Sequence, residues 1–179
     1  MYKKPTVESS ILLYEGYLSL REDQVSGRDG NPLPFNVVET PGDAVAILAQ
    51  TEEKMFVICS EYRHGIGEWV YSVPGGNLDD EEDPIEAGKR ELLEEAGFEA
   101  PNFTEMGIYY PCPAILNQQV HLLFAHDAKR TTLPALEDGE WIETHIVTEE
   151  ELFALIDDGS HVDGMLFSIL YYYRQIIQE

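Results

Sequence analysis

Residues 76–98, reading GNLDDEEDPIEAGKRELLEEAGF, specify a helix at both of its ends and so dictate what must lie against it. Asp83 is a good N-cap, Pro84 suits the first helical position, and Glu86 completes a capping box three residues after Asp83. Gly97 supplies a left-handed stop. The spacing predicts a helix over 84–96. At roughly 100° per residue, Ile85, Gly88, Leu92 and Ala96 fall within an arc of about 80°. That arc is expected to pack on a sheet.

The flanking segments supply the strands. Ile11 to Leu20 and Phe35 to Glu39 are β-leaning, with a turn at Gly27-Arg28-Asp29-Gly30-Asn31-Pro32 between them. Ala44 to Leu48 and Met55 to Ser60 are apolar runs separated by a polar link, the pattern of a hairpin. Trp69 to Val73 is a further strand, ended by Pro74-Gly75-Gly76. Beyond the helix, strands are expected near Phe103 to Tyr110, Val120 to Asp127 and Trp141 to Val147. Thr148 with Glu151 opens a second helix through a capping box, and Met165 to Ile177 reads as a third. Tyr171, Tyr172 and Tyr173 on it read as packing. This mixed order argues for an α+β layer structure and against alternating βαβ units.

The 84–96 helix also carries Glu91, Glu94 and Glu95 within an arc of about 100°, beside the apolar one. Like charges at these spacings destabilise a helix by a few tenths of a kcal/mol per pair, roughly. Clustered carboxylates are what a hard divalent cation takes, together with waters and substrate phosphates. On local physics alone, a merely acidic surface explains the three residues as well as a metal site does.

Charge narrows the partners. The chain of 179 residues has 34 acidic and 11 basic side chains, for a net charge of −23. A field of that sign repels nucleic acid, and RNA decapping is disfavoured with it. Most of these carboxylates are expected to be solvated, the exception being the dense run from Asp79 to Glu95. Phosphates would have to be handled through bound cations. No apolar run is long enough for a transmembrane helix, and the start Met1-Tyr2-Lys3-Lys4-Pro5 leads into no signal-peptide core. Two cysteines, Cys59 and Cys112, imply no disulfide framework, so a cytoplasmic protein without a membrane partner is expected.

The same segment resembles the Nudix box. That motif runs Gly, five residues, Glu, seven residues, then Arg-Glu-apolar-any-Glu-Glu-any-Gly-apolar. Gly76, Glu82, Arg90, Glu91, Leu92, Glu94, Glu95, Gly97 and Phe98 meet it with every spacing kept. Seven of these positions demand one residue type, and at roughly 6% each chance agreement is on the order of 10⁻⁹ per start point. The resemblance implies a Nudix fold, a mixed β-sheet sandwiched between helices. It also implies a loop-helix-loop that grips one to three divalent cations, Mg²⁺ with Mn²⁺ as the other choice, against a diphosphate. By position, Glu91 and Glu95 look like the principal ligands. Glu94 is a further ligand or catalytic group, and Glu82 and the carbonyl of Gly75 are additional ligands. Arg90 would pair with Glu82 or Glu91 and orient the carboxylates.

The flanks resemble the ADP-ribose and nucleoside diphosphate sugar pyrophosphatase branch over about residues 35–170. Val37 to Val45, Glu61-Tyr62-Arg63-His64, Ser72-Val73-Pro74-Gly75-Gly76 and Tyr110-Pro111-Cys112-Pro113 carry the likeness. It makes Arg63 a phosphate or nucleotide clamp and Pro113 the branch's proline, fifteen residues after Phe98. Tyr17 and Phe35, with Tyr14, Trp69, Tyr109 and Tyr110, have faces that can stack on a base, although a single aromatic is more often core or interface packing. Residues 1–40 are expected to be a β extension that joins two copies into a homodimer, and 41–179 the hydrolase domain.

The chain departs from the branch where a Glu after the proline commonly serves as general base: Asn117, Gln118 and Gln119 stand there instead. The branch's Glu before Val73 is Ser72. The implied reaction is hydrolysis of a nucleoside diphosphate sugar, of the ADP-ribose or GDP-mannose type, to a nucleoside monophosphate and a sugar phosphate. With the base missing, two accounts stand: either a box carboxylate, Glu94 first among them, takes the proton, or the loop with Gln118 contributes only position and the metals carry most of the activation. A nucleoside triphosphate or dinucleotide polyphosphate substrate is the alternative, and a non-catalytic nucleotide sensor is the reading of a different class. Intact Glu91, Glu94 and Glu95 speak against the last.

Overall fold

The computed structural model describes residues 3–176. Two sheets and three helices result. Strands β1 (Val7–Tyr14), β2 (Ser19–Ser26) and β3 (Pro32–Glu39) form an antiparallel three-stranded sheet in that order. The main sheet takes the order β10-β5-β4-β9-β7, with β6 on β5 and β8 on β9. Its members are β4 (Ala44–Thr51), β5 (Phe56–Arg63), β6 (Glu68–Ser72), β7 (Phe98–Glu99), β8 (Asn102–Tyr109), β9 (Val120–Arg130) and β10 (Ile142–Val147). β4 and β9 pair in parallel; the other pairs are antiparallel.

The central strand explains the layering. β4 is apolar almost throughout because both of its faces are covered. Ala44, Ala46 and Leu48 point into a core shared with α2 (Glu149–Asp157) and α3 (Gly164–Ile176). Val45, Ile47 and Ala49 point the other way, against Ala87, Leu92 and Ala96 of α1 (Pro84–Ala96). Gly88 lets α1 approach closely, since a Cβ there would run into the Leu123 side chain. The N-cap and C-cap residues of α1 are those that the sequence predicts, but its capping box is not formed, because the Glu86 carboxylate pairs with Lys89 at 2.6 Å instead of reaching back to Asp83. Asp83 accepts from the Ile85 and Glu86 amides, and Gly97 closes α1 at φ 74° with its N–H on the carbonyls of Leu92 and Leu93. Thr148 and Glu151 make the reciprocal capping box of α2. The fold is α+β, with helices on both faces of a mixed sheet.

Three further readings are corrected. Ile11 to Leu20 is not one strand: β1 stops at Tyr14, the chain reverses through 15–18, and Tyr14 pairs back with Leu20. Apolar residues on both sides hide the turn at Gly16. The three tyrosines of α3 also diverge. Tyr173 is buried with its ring 5.3 Å from those of Phe56 and Phe124, and Tyr172 lies over Gly107, but Tyr171 is exposed. The end predicted for this helix, Ile177, lies outside the described residues. Third, β9 runs past Asp127 to Arg130, because Lys129 and Arg130 pair with β7. Both cysteines are free, and among the described residues no helix is long and apolar enough to cross a membrane.

β1 is exposed along its whole length, Val7, Ile11, Leu12, Leu13 and Tyr14 included. The small sheet reaches the rest of the chain through a few contacts. Val38 bridges Leu116, with the Val38 amide on the Ile115 carbonyl at 2.7 Å, and Tyr17 touches Asn77.

Candidate active site

α1 presents its acidic arc to a cleft of about 600 Å³ bounded by β5, the loop before α1 and the 131–141 connection. The arc is graded by depth. Glu91 and Glu95 are buried, one turn apart beside Leu92, whereas Glu94 faces outward and its side chain is half exposed. This follows from the helix period, since Glu91 and Glu95 flank the apolar stripe and Glu94 lies farther from it.

Arg90 organises these carboxylates from behind. Its guanidinium donates to Glu82 through Nε (3.1 Å) and Nη2 (2.9 Å), and to Glu91 (2.7 Å) and Glu94 (3.3 Å) through Nη1. Nη2 also reaches the Asn77 carbonyl at 3.0 Å. These bonds raise the Arg90 pKa further, and the same bonds hold Glu82 below its usual range. Glu95 is held differently, accepting the Gly75 amide at 2.8 Å. Burial pushes its carboxyl up to about 8; that amide opposes the shift, and Glu91, Glu61 and Glu140 add to it. Burial raises Glu91 too, against the pull of Arg90. Gly76 leaves room for the Glu91 carboxylate, which a Cβ at that position would push aside.

Of the residues singled out in the sequence, Glu91, Glu94, Glu95, Gly75, Arg63 and Tyr17 line the cleft. Glu82 stands behind Arg90. Gln118 reaches the cleft wall only through Asn77, donating to its Oδ1 at 2.9 Å, and Pro113 is exposed on the 110–119 loop. Phe35 is elsewhere, on the small sheet, in a hollow with Lys3, Lys4 and Arg28. Arg63 is already engaged, with Glu61 at 2.6 Å and Asp163 at 3.6 Å.

The cleft also contains groups to which the sequence reading gave no role of their own: Glu61, Asn77, Asp79, Glu137 and Glu140. Glu61 was within reach, because β alternation puts it on the same face as Arg63. Glu137 and Glu140 come from the 131–141 connection, whose place depends on the pairing of β10 with β5 some eighty residues earlier.

Seven carboxylates therefore line the cleft (Glu61, Asp79, Glu91, Glu94, Glu95, Glu137 and Glu140) against two guanidiniums, Arg63 and Arg90, both paired with carboxylates already. Among the described residues, no three His, Cys, Asp or Glu side chains converge as a finished cage, since Arg90 and the Gly75 amide hold the key oxygens. Mg²⁺ does not require such a cage; it takes one or two carboxylates with waters and substrate phosphates. Hard oxygen donors, two of them buried with too little positive charge around them, fit a divalent cation.

Comparison with known proteins agrees with this geometry. The NUDIX domain family model matches residues 40–166. The chain is 27% identical over 148 residues to the ADP-ribose pyrophosphatase of Bacillus subtilis (strain 168), covering 82% of this chain and 80% of that protein. It is 25% identical over 165 residues to the methanol dehydrogenase activator of Bacillus methanolicus, covering 92% and 89%. A solved structure titled "Crystal structure of ADP compounds hydrolase" superposes with a TM-score of 0.87 at 19% identity, over 99% of this chain and 96% of that one, and so shares the fold. With the box complete and at the head of the cleft, the chain belongs to the Nudix family and is a Nudix hydrolase.

Proposed function

We propose that this hydrolase cleaves the diphosphate linkage of a nucleoside diphosphate sugar, with ADP-ribose the first substrate to consider and GDP-mannose the second. The excess of carboxylates in the cleft carries the reading: a diphosphate can enter so acidic a space only together with cations. The names of the relatives support the choice of substrate.

Glu91 and Glu95 would hold the cations, with Glu94, Glu82 and the Gly75 carbonyl as further ligands. When bound, Mg²⁺ or Mn²⁺ supplies charge neutralisation at the diphosphate and Lewis-acid activation of the attacking water. Arg63 would clamp a phosphate, with Glu61 fixing its guanidinium. Water adds to one phosphorus, the P–O bond to the bridging oxygen breaks, and a carboxylate accepts the water's proton. The products are a nucleoside monophosphate and a sugar phosphate.

Glu94 is our choice for that carboxylate, being at the cleft and only partly held by Arg90. A second reading is favoured by one observation: Glu140 enters the cleft from the opposite wall, where its Oε2 accepts the Glu137 amide at 2.8 Å. Gln118 cannot take a proton, as an amide, and both of its N–H bonds are engaged, with Gly42 and Asn77. A positioned base adds about 10² to 10⁴ in rate. Glu94→Gln is thus expected to lower kcat at least a hundredfold and Gln118→Ala less than tenfold. A larger loss in Glu140→Gln than in Glu94→Gln moves the base to the 131–141 connection. The function itself is tested with a panel of nucleotide sugars, nucleoside triphosphates and dinucleotide polyphosphates, with products identified. Preference for either of the last two classes replaces the substrate proposed here.

We also propose a homodimer formed through the N-terminal extension, residues 1–40. The exposed apolar residues of β1 support it, since a strand of that composition left in water invites pairing or packing. Light scattering at micromolar concentration is expected to give twice the monomer mass. A fully active monomer would contradict the proposal.

A further inference from the structure

Three segments distant in sequence meet at one side chain in the cleft wall, that of Asn77. Its Nδ2 lies 2.6 Å from the Tyr17 hydroxyl, in the turn between β1 and β2. Its Oδ1 lies 2.9 Å from Nε2 of Gln118, on the 110–119 loop. Its carbonyl takes Nη2 of Arg90. One end of this chain of bonds sets the direction of all of them. The Gly42 carbonyl can only accept, and it is 3.2 Å from the Gln118 amide, so the amide nitrogen must face it. The second N–H of that nitrogen then goes to Asn77, whose oxygen must turn towards Gln118. The Asn77 nitrogen is left to donate to the Tyr17 oxygen. With its oxygen accepting, Tyr17 keeps its own O–H to give away, and Tyr17 lines the cleft.

We infer that Asn77 is a positioning residue that makes Tyr17 an obligatory hydrogen-bond donor towards the cleft, selecting an acceptor oxygen on the substrate, whether of a phosphate or of the sugar beside it. The polarity begins at the Gly42 carbonyl and passes through Gln118 and Asn77 to Tyr17. In a cleft crowded with carboxylates, an undirected tyrosine O–H would turn to a protein oxygen; the Asn77 amide does not offer it one. The inference rests on the cleft being the diphosphate site and adds a determinant of affinity to it.

Gln118→Glu tests the relay at its remote end. A carboxylate at 118 can only accept, so Asn77 must turn its nitrogen to it and present its oxygen to Tyr17, which then consumes the Tyr17 O–H. With ADP-ribose or whichever diphosphate the wild type turns over, Tyr17→Phe is expected to raise KM about tenfold, with kcat changed less than threefold. Gln118→Glu is expected to raise KM similarly in the wild-type background and to add nothing in the Tyr17→Phe background. Equal penalties in both backgrounds would mean plain charge repulsion and overturn the inference, as would a loss confined to kcat. A readout without turnover separates this from failure of the substrate assignment. In the free protein, the side-chain amide signal of Asn77 in ¹H–¹⁵N spectra, identified by its loss in Asn77→Ser, is expected to move on Tyr17→Phe and on Gln118→Glu. A signal indifferent to both substitutions refutes the relay, whatever the substrate.

Discussion

Glu95→Gln is expected to lower turnover by at least two to three orders of magnitude and, in metal-free protein at pH 8, to leave the fold as stable as the wild type or more so. The two effects have one origin. Glu95 is buried beside Glu91, with Glu61 and Glu140 adding repulsion and one backbone amide in its favour. An ionised carboxylate there is costly in the free protein and is useful only when a cation shares the space. Glutamine keeps the volume, and its oxygen can still accept the Gly75 amide, so the charge alone is removed. Turnover measured beside a thermal melt checks both. Near wild-type activity would remove Glu95 from the mechanism, and a collapsed fold would make its role structural.

The same carboxyl makes the metal-free protein sensitive to pH. In the unfolded chain Glu95 loses its proton near the ordinary value of 4.5, whereas in the fold it keeps it to about 8. Between these values the folded state binds more protons than the unfolded one, so stability falls as pH rises from about 5 to 8. The shift corresponds to a ceiling of roughly 5 kcal/mol, which for a chain of this size is a fall in Tm of about 10 °C or more. Glu91, also raised by burial, acts in the same direction. Millimolar Mg²⁺ is expected to restore most of the loss at pH 8 and little at pH 5, where protons compete for the same oxygens. Melts at both pH values, with EDTA and with Mg²⁺, check this. A metal-free protein that becomes more stable towards pH 8 contradicts it.

What could be read in the sequence was what local physics decides. Asp83, Pro84 and Gly97 fix α1 within its own length, and its period separates Glu91 and Glu95 from the more exposed Glu94. The alternation of β4 between two cores was not visible, because a strand covered on both faces reads only as apolar. The expectation for the 110–119 loop came from resemblance, and the chain's own contacts give it another place. The Gln119 amide is held by Asp43 at 3.0 Å, and Gln118 by Gly42 and Asn77, so the loop braces the cleft wall. The acidic groups facing α1 come from Glu137 and Glu140, which only the β5–β10 pairing carries there. Phe35 shows the converse. Its aromatic face suggested a base platform, but β3 holds it opposite Asp23 in the small sheet, away from the box.

The central claim is a cation-dependent hydrolysis of a diphosphate, and ³¹P NMR of ADP-ribose incubated with the purified protein tests it most directly. With Mg²⁺ or Mn²⁺ the diphosphate signals are expected to give way to two phosphomonoester signals, of AMP and a ribose phosphate, and to persist unchanged when EDTA is present. Diphosphate signals that survive with either metal would contradict the proposed substrate, and cleavage undiminished by EDTA would contradict the role given to Glu91 and Glu95.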